Sequence, residues 1–459
     1  MKIENDSSKN HEIGRRTFLQ AGAAALGASA LSYGRIIGSN DRISLGHVGM
    51  GQRGREVASV VGDLRHNHNV DLTAVCDLWK VNRERAAATA EHVYDRAPRS
   101  FQYLEDLLAL KDVDAVIIST ADFQHAPMLK MAVEAGKDVY VEKPMANDLE
   151  EAKAARDAVR PRNLVVQMGT QHRSEPYQIA AKESIARGVL GDVSKVEIVW
   201  NYHGPRWRGR PEVAEIREED TDWKRWLMSK PARPFDPRAY FEFRLYRDFS
   251  SGIPDQWMSH GMDLVNHFME DPFPKSVMAM GGVFAWHDGR ENPDTFQALL
   301  EYPKGFLVSY STSFGNDSDS FTRIMGNKAT LVNTGGEGSQ RWKVVEEKGN
   351  HEDNPFIHRS HKRVAARSEE LRSMPFSERL LTEAVGKTYG GLPFISDANP
   401  SHMRNWLGCL RSRKQPNTTI EHGFSHSVAV IMAARSQREG KKLYWDPATE
   451  QIVDRPPAA

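Results

Sequence analysis

The feature that most constrains this chain is a glycine-rich turn between an apolar run and a helical stretch. The turn follows a candidate strand over 43–48 and precedes a helical stretch over 55–61. In such a unit the first glycine permits a tight turn, the second lets the backbone approach a pyrophosphate, and the third lets helix and strand pack closely. The helix N-terminus adds N–H groups and a positive dipole. We therefore predict a dinucleotide site that includes Gly49, Gly51, Gln52, Arg53 and Gly54.

A second candidate strand, 70–75, is followed closely by Asp77. At this position a carboxylate accepts hydrogen bonds from the adenosine ribose hydroxyls and repels a 2′-phosphate. Asp77 therefore favours NAD over NADP. The nearby cations Lys80 and Arg83 leave NADP as the less favoured alternative.

Further candidate strands alternate with helical stretches along the first part of the chain. The strands are 115–119, 138–141 and 164–168, and the helical stretches are 83–93 and 127–135. This alternation is typical of a parallel sheet with crossover helices. We expect residues 35–168 to form an α/β domain, a doubly wound parallel sheet of the Rossmann type.

After residue 169 the chain carries short β-rich runs separated by Gly, Pro and Asn. The runs are 193–200, 276–283, 296–302, 306–312 and 330–333. Their close spacing predicts an α+β domain over 169–459 with an open, mainly antiparallel sheet. The polar stretch from about 335 to 400 lacks periodicity and is interpreted as an insertion or as an arm used in assembly, whereas 403–411 and 424–438 are expected to be helical.

The first residues have the pattern of an export signal. Arg15-Arg16-Thr17-Phe18-Leu19 precedes a weakly apolar run over 21–31, as in twin-arginine signals. We expect residues 1–34 to be such a signal or a disordered leader, and the protein to be exported to the periplasm or cell envelope. The apolar run is too short to span a bilayer, so stable membrane insertion is not expected.

Charge and cysteine content exclude several classes of protein. Lys plus Arg and Asp plus Glu both number 61, so the net charge gives no reason to expect a nucleic-acid partner. Cys76 and Cys409 are the only cysteines, which excludes a disulfide framework. The 17 histidines form no H-E-x-x-H motif or comparable ligand set, so we expect no metal site.

Glu142-Lys143-Pro144 follows the strand over 138–141 and its lead-in Ala135-Gly136-Lys137. Together with the glycine turn, this segment resembles the Gfo/Idh/MocA oxidoreductase family, and the export signal resembles its twin-arginine-exported subgroup. The stretches from Thr120 to His125 and from His260 to Asp263 are similar to the family's strand-end loop and substrate-side H-x-x-D. The resemblance implies NAD(P) chemistry on sugars or cyclitols and homo-oligomers formed through the C-terminal sheet. It also implies cofactor contacts at Thr120, His125, Glu142, Lys143 and Gln171.

Two residues are candidates for catalysis. Lys143 beside a nicotinamide would hold the substrate hydroxyl and stabilise an alkoxide, and His260 is a candidate general acid or base. The alternatives are a surface lysine and a buried structural histidine. Many dehydrogenases of the family carry an aspartate four residues before this histidine. Here Gln256, which cannot accept a proton, stands in its place and weakens a simple sugar dehydrogenase mechanism.

The run from Trp257 to Gly261 is similar in placement to the Tyr-Pro-Thr-His-Gly stretch of NAD-dependent α-N-acetylgalactosaminidases, with Trp257 in place of the tyrosine. Aromatic faces and multi-donor side chains suit a sugar. We predict that the substrate wall contains His172, Arg173, Tyr202, Arg206, Trp207, Gln256, Trp257, His260 and Asp263.

Export constrains the reaction, because no pool of free NAD is expected outside the cytoplasm. We therefore expect an NAD(P)-dependent oxidoreductase that acts on a sugar, cyclitol or glycoside with a tightly bound, recycled cofactor. One alternative is an NAD-dependent glycoside hydrolase that works by oxidation, elimination, water addition and re-reduction. A second is a non-catalytic protein that binds nucleotide or sugar.

Overall fold

The computed structural model describes residues 42–333, 342–347 and 398–457. The predicted export signal and most of the predicted insertion lie outside these residues. The described chain contains two large sheets and one two-stranded sheet, with helices on both faces of the first large sheet and on one face of the second.

The first sheet has six parallel strands in the order β3-β2-β1-β4-β5-β6. This is the Rossmann order, and it confirms the predicted α/β class. Side chains of β1, β2, β4 and β5 are nearly all buried, as expected for parallel strands covered on both faces. The strands are β1 (Ile43–Val48), β2 (Val70–Cys76), β3 (Arg99–Phe101), β4 (Ala115–Ile118), β5 (Asp138–Val141) and β6 (Val166–Met168).

The crossover helices begin and end at recognisable signals. They are α1 (Gln52–His68), α2 (Lys80–Tyr94), α3 (Leu104–Leu108), α4 (His125–Glu134) and α5 (Leu149–Val159). Asp148 caps α5, since its carboxylate accepts from the backbone N–H groups of Glu150 and Glu151 at 2.9 and 3.0 Å. A 3₁₀ turn over Asp122–Gln124 precedes α4 and places Asp122 at the carboxyl edge of the sheet.

The second sheet has nine strands in the order β15-β14-β13-β7-β11-β10-β9-β16-β17. The one parallel pairing in it joins β11 to β7, so the sheet is mainly antiparallel as predicted. A short β8 (Tyr202–His203) pairs separately with β12 (Gly315–Asn316). The nine strands are β7 (Val193–Val199), β9 (Ser276–Gly282), β10 (Thr295–Glu301), β11 (Leu307–Ser313), β13 (Phe321–Gly326), β14 (Ala329–Asn333), β15 (Trp342–Glu346), β16 (Leu443–Asp446) and β17 (Gln451–Val453).

Strand β15 lies within the stretch that we interpreted as an insertion. It pairs with β14 through five residues, and Trp342 is buried against the domain core. Part of this stretch therefore extends the sheet. A run of only five residues without regular alternation gives too weak a sequence signal to separate the strand from its surroundings.

Helices from distant parts of the sequence join the two sheets. The helices after β6 are α6 (Pro176–Ala186), α7 (Glu212–Glu215), α8 (Trp223–Leu227), α9 (Pro237–Phe241), α10 (Ser259–Met269), α11 (Ala398–Ser412) and α12 (Ile420–Glu439). Helix α12 is buried along most of its length because it packs on α5 of the first domain and on β9 and α10 of the second. Trp406 and Leu407 of α11 share a core with Val57 and Val61 of α1, so this helix belongs spatially to the Rossmann domain.

Among the described helices, none combines the length and the apolar character needed to cross a bilayer.

Candidate functional site

A cleft of about 890 Å³ opens at the carboxyl edge of the parallel sheet, against the second domain. Loops after β1, β2, β4 and β5 form one wall, which agrees with the rule that ligands bind where the strand order reverses. The opposite wall comes from the segments between β7 and α10.

The glycine turn has the geometry that a bound pyrophosphate requires. Gly49 has a φ of +85°, and a Cβ at Gly54 would lie 1.9 Å from the Gly49 carbonyl oxygen, so both glycines are required by the fold itself. A Cβ at Gly51 would meet nothing within 4 Å. The space in front of Gly51 is thus open to a ligand, with Gln52 and Arg53 beside it in the cleft wall.

Asp77 connects this turn to the second strand of the sheet. Its carboxylate accepts from the backbone N–H of Met50 at 2.7 Å, from the N–H of Trp79 at 2.9 Å and from Asn82 Nδ2 at 3.1 Å. Burial raises the pKa of Asp77, and these hydrogen bonds oppose the rise. The carboxylate lines the cleft where an adenosine ribose would lie.

The two cations that left NADP as an alternative both have protein partners. Arg83 Nη1 donates to the carbonyl oxygens of Asp77 and Leu78 at 2.6 and 2.8 Å. Lys80 Nζ lies 3.8 Å from Glu84. Arg83 is thus engaged by backbone carbonyl oxygens rather than left free for a 2′-phosphate, which agrees with NAD as the cofactor.

The Glu-Lys-Pro segment is held by its neighbours on two sides. Glu142 is buried and accepts from Arg53 Nε at 2.9 Å, and its charge raises the pKa of Arg53. His125 Nδ1 lies 2.7 Å from the Pro144 carbonyl oxygen, and its Nε2 lies 3.3 Å from that of Thr120. His125 therefore ties the loops after β4 and β5 together, while Thr120 lines the cleft.

Lys143 lies in the cleft wall and contacts the second domain. Its Nζ donates to the backbone carbonyl oxygen of Gln256 at 2.6 Å. Burial lowers the pKa of Lys143 to about 8; Asp122 and Glu142 oppose the shift, while Arg244 and Arg53 add to it. An ammonium with this pKa is partly deprotonated near neutral pH and can both accept and return a proton.

Asp122 is a site residue that the sequence did not single out. Gln256 Nε2 donates to its two oxygens at 2.7 and 2.6 Å, and Ser250 Oγ donates at 2.6 Å. The carboxylate expected four residues before His260 is thus supplied by a loop 134 residues away from Gln256. A signal existed, because Asp122 lies within the strand-end loop from Thr120 to His125.

A second buried carboxylate lies next to Asp122. Asp255 accepts from the Ser251 backbone N–H at 2.5 Å and lies 3.5 Å from Ser250 Oγ. Burial and the negative charge of Asp122 together raise the pKa of Asp255 to about 7. Both Asp255 and Gln256 belong to a π-helical turn over Pro254–Met258, an irregularity that often occurs at functional sites.

His260 follows this turn and lines the cleft. Its ring lies edge-on to that of His172 at 4.9 Å, and its Nδ1 is buried without a hydrogen-bond partner among the described residues. Burial and the positive charge of Lys143 hold the pKa of His260 well below its ordinary value, so the ring is neutral. His172 differs, since its contact with Glu175 at 2.7 Å overcomes the effect of burial and raises its pKa.

Arg173 and Asp263, which we predicted in the substrate wall, form a buried ion pair behind it. Arg173 Nε donates to Asp263 Oδ2 at 2.8 Å, and neither residue lines the cleft. Burial opposes ionisation of Asp263, but the guanidinium outweighs it and lowers the pKa of Asp263. The ion pair joins α10, which carries Asp263, to the turn before α6, which carries Arg173. The aspartate of H-x-x-D therefore has a structural role here.

Aromatic residues form the outer part of the substrate wall. Trp257 stacks on Trp200 with ring centroids 4.7 Å apart, a partner that the sequence did not indicate. Arg206 lies over the rings of Tyr202 and Trp257, at 5.2 and 5.7 Å. Trp207 is buried against Phe314 and contributes an edge to the cleft.

Gln171 also lines the cleft, and its buried Oε1 has no hydrogen-bond partner in the described part of the chain. An unsatisfied buried amide oxygen is costly unless a ligand donates to it. Over the same residues, no group of three His, Cys, Asp or Glu side chains is placed to hold a metal ion.

Comparison with known proteins agrees with this geometry. Residues 43–170 match the Gfo/Idh/MocA profile described as an oxidoreductase family with an NAD-binding Rossmann fold, and residues 229–444 match the C-terminal alpha/beta domain of the same family. A glycosyl hydrolase family 109 protein of Shewanella baltica is 29% identical over 93% of this chain and 94% of its own length. An alpha-N-acetylgalactosaminidase of Shewanella oneidensis is 28% identical over the same shares.

Two solved structures share the fold. The WlbA dehydrogenase from Bordetella pertussis, in complex with NADH and UDP-GlcNAcA, superposes with a TM-score of 0.62 at 20% identity and covers 88% of this chain and 99% of its own. A levoglucosan dehydrogenase in complex with NADH and levoglucosan superposes with a TM-score of 0.61 at 15% identity, with the same coverage.

The substitution Asp122→Asn tests how the site controls the charge of Lys143. Removing a negative charge that raises the lysine pKa should move its titration midpoint to below about 8. The pH dependence of Lys143 acetylation, followed by peptide mass spectrometry, measures this midpoint. Asp63→Asn, on the exposed side of α1, is the control and should leave the midpoint unchanged. An unchanged midpoint in Asp122→Asn would contradict the coupling.

Proposed function

The chain belongs to the Gfo/Idh/MocA oxidoreductase family, and from this premise we propose that it uses NAD to oxidise and reduce a carbohydrate hydroxyl. Lys143 carries the proposal, because it lies in the cleft wall next to the glycine turn with a pKa of about 8. Bound NAD supplies the hydride acceptor and donor for such a reaction.

Lys143 moves the proton that balances the hydride. In the oxidation, the carbinol C–H gives up a hydride and the hydroxyl gives its proton to the neutral amine of Lys143, which leaves a ketone and an ammonium. In the reduction, the ammonium returns the proton to the carbonyl oxygen. Gln256 fixes the amine through its backbone carbonyl and is itself fixed by Asp122, so the acceptor is positioned before substrate binds.

A carbohydrate fits the second wall. Trp257 and Trp200 present an extended aromatic surface for the apolar face of a sugar, and Arg206 and Gln171 offer polar groups at its rim. Two fold neighbours were also crystallised in complex with sugar ligands, one with UDP-GlcNAcA and the other with levoglucosan.

A second candidate function is glycoside cleavage. It is supported by the Shewanella relatives, which are named as a glycosyl hydrolase family 109 protein and an alpha-N-acetylgalactosaminidase. A ketone formed as above acidifies the adjacent C–H. His260, which is neutral in the free site, can take that proton while the glycosidic C–O bond breaks, and the resulting imidazolium can pass the same proton to the departing oxygen. Addition of water and reduction of the ketone then release the sugar and restore the cofactor. The cleft holds the groups needed for this route as well as for simple oxidation.

The substitution Lys143→Met separates catalysis from cofactor binding. We expect the variant to retain NAD, because the glycine turn and Asp77 are unchanged, and to lose turnover by about a hundredfold or more. Cofactor content is measured by mass spectrometry after denaturation, and turnover by absorbance of reduced cofactor and by release of aglycone from nitrophenyl glycosides.

Aglycone release with no net change in bound NAD would select the hydrolase, and reduction of bound NAD without release would select the oxidoreductase. Lys130→Met, an exposed lysine of α4, is the matched control and should behave as the wild type. Full turnover in Lys143→Met would overturn the assignment.

We further propose that the protein is exported by the twin-arginine route and carries NAD as a resident cofactor. Arg15 and Arg16, followed by Phe18 and Leu19, support this proposal. Replacing both arginines with lysine should retain the protein in the cytoplasm of a bacterial host, as judged by cell fractionation and immunoblotting. Recovery of the wild-type chain from the cytoplasm alone would contradict export.

We also propose that the protein forms homo-oligomers through the outer face of the second sheet. Met280 is 72% exposed and Leu299 is 49% exposed, and Met278 lies directly opposite Leu299 on the neighbouring strand. Contiguous exposed apolar side chains on a sheet face are typical of an interface.

The double substitution Met280→Lys, Leu299→Lys should convert the oligomer into monomers, measured by sedimentation velocity. Charged side chains at both positions would be desolvated in the interface and repel their copies. Ala88→Lys, on the exposed side of α2, is the control and should leave the oligomer intact. A monomeric wild-type protein would refute this proposal.

A further inference from the structure

Three arginines in the cleft wall lack the carboxylate partners that neighbouring arginines have. Arg208 pairs with the buried Glu242, and Arg290 pairs with Asp288 at 2.7 Å. Over the described residues, no carboxylate lies within ion-pair distance of the guanidinium groups of Arg206, Arg210 and Arg244, all of which line the cleft. Within the described residues, these three guanidinium groups thus have no direct carboxylate partner.

The three guanidinium groups also act on one another. Arg244 Nε is buried and has no acceptor among the described residues. Burial lowers the pKa of Arg244, and Arg210 and Arg206 lower it further, while Asp122 opposes the shift. The oxygens of Asp122 are already occupied by Gln256 and Ser250.

The cofactor accounts for only part of this charge. Arg210 donates to the Gln52 side chain, beside the helix N-terminus where a pyrophosphate is expected. Arg206 lies over Trp257 on the substrate wall. Arg244 is placed near Asp122 and Glu142, the two carboxylates that also act on Lys143. Arg206 and Arg244 are therefore at the substrate end of the cleft.

We propose that the substrate is a sugar with an anionic substituent, a carboxylate or a sulfate or phosphate ester, whose oxygens accept hydrogen bonds from Arg206 and Arg244. This inference rests on the proposed function and names its substrate class. Planar guanidinium groups match the oxygen pairs of these anions, and partial burial strengthens each contact. The hydroxyls of a neutral sugar could accept from these N–H groups, but they would leave the two cations without a counter-charge.

Matched pairs of sugars test the proposal on the full-length protein loaded with NAD. The probes are methyl glucuronides and galacturonides against the corresponding methyl glucosides and galactosides, and glucose 6-sulfate and glucose 6-phosphate against glucose. Dissociation constants are measured by isothermal titration calorimetry at low and high salt. We expect at least one anionic probe to bind about tenfold or more tightly than its neutral partner, with a preference that falls as salt rises. Tighter binding of the glucuronides or galacturonides would identify the substituent as a carboxylate, and tighter binding of glucose 6-sulfate or glucose 6-phosphate would identify it as an ester.

Substitutions of Arg206 and Arg244 test whether these two residues cause the preference for anionic sugars. Arg206→Gln and Arg244→Gln should each reduce the preference for the anion about tenfold, whereas Arg244→Lys should retain part of it because the charge remains. Arg323→Gln, on the exposed part of β13, changes the net charge equally and should have no effect. Equal affinity for charged and neutral sugars, or a preference that persists in the Arg206→Gln, Arg244→Gln double variant, would overturn the inference.

The two proposals fail in different ways. A protein that holds NAD and turns over neutral sugars without any preference for the anion retains the proposed function and refutes the anionic substrate. A protein that binds anionic sugars through Arg206 and Arg244 but never holds NAD refutes the proposed function and leaves the binding site standing.

Discussion

Gln256 joins the two domains beside Lys143. Its side-chain amide donates to both oxygens of Asp122, on the loop after β4, while its backbone carbonyl accepts from Lys143, on the loop after β5. A buried ammonium and a buried carboxylate are both costly to desolvate, and this one residue provides a partner for each. The contact helps to hold the second domain, and with it the aromatic wall, over the cleft.

The same contact marks the limit of what sequence alone could predict. Strands β1 and β5 and the glycine turn were predicted because their signals are local: an apolar run, a glycine spacing and a helix start. Gln256 was interpreted as the loss of an acid, since no local pattern indicates that a carboxylate 134 residues away will pair with it. Arg173 and Asp263 show the reverse case, because their residue types suit a substrate site but their burial makes them structural.

Charge pairing distinguishes structural from functional arginines in this chain. Arg208 and Arg206 are two residues apart in one loop and carry the same side chain, and sequence could not separate their roles. Arg208 meets Glu242 and fixes the loop. Arg206 lies over the rings of Tyr202 and Trp257 in the cleft wall, and none of the described carboxylates pairs with it. In a chain with equal numbers of acidic and basic residues, an arginine that is left unpaired beside a cleft is a stronger indication of a ligand than any excess of net charge.

The pKa of Lys143 connects the site to the way in which the cofactor would be used. A cofactor that stays bound must be reduced and reoxidised in one cleft, so one group has to accept a proton in the first half-reaction and return it in the second. A group whose pKa lies near the working pH has both forms populated and serves both directions, whereas an ordinary surface lysine would remain charged. Burial lowers the pKa of Lys143 to about 8, while Asp122 keeps it from falling further. The opposing effects of burial and of the Asp122 charge thus place this lysine in the range that a recycled cofactor requires.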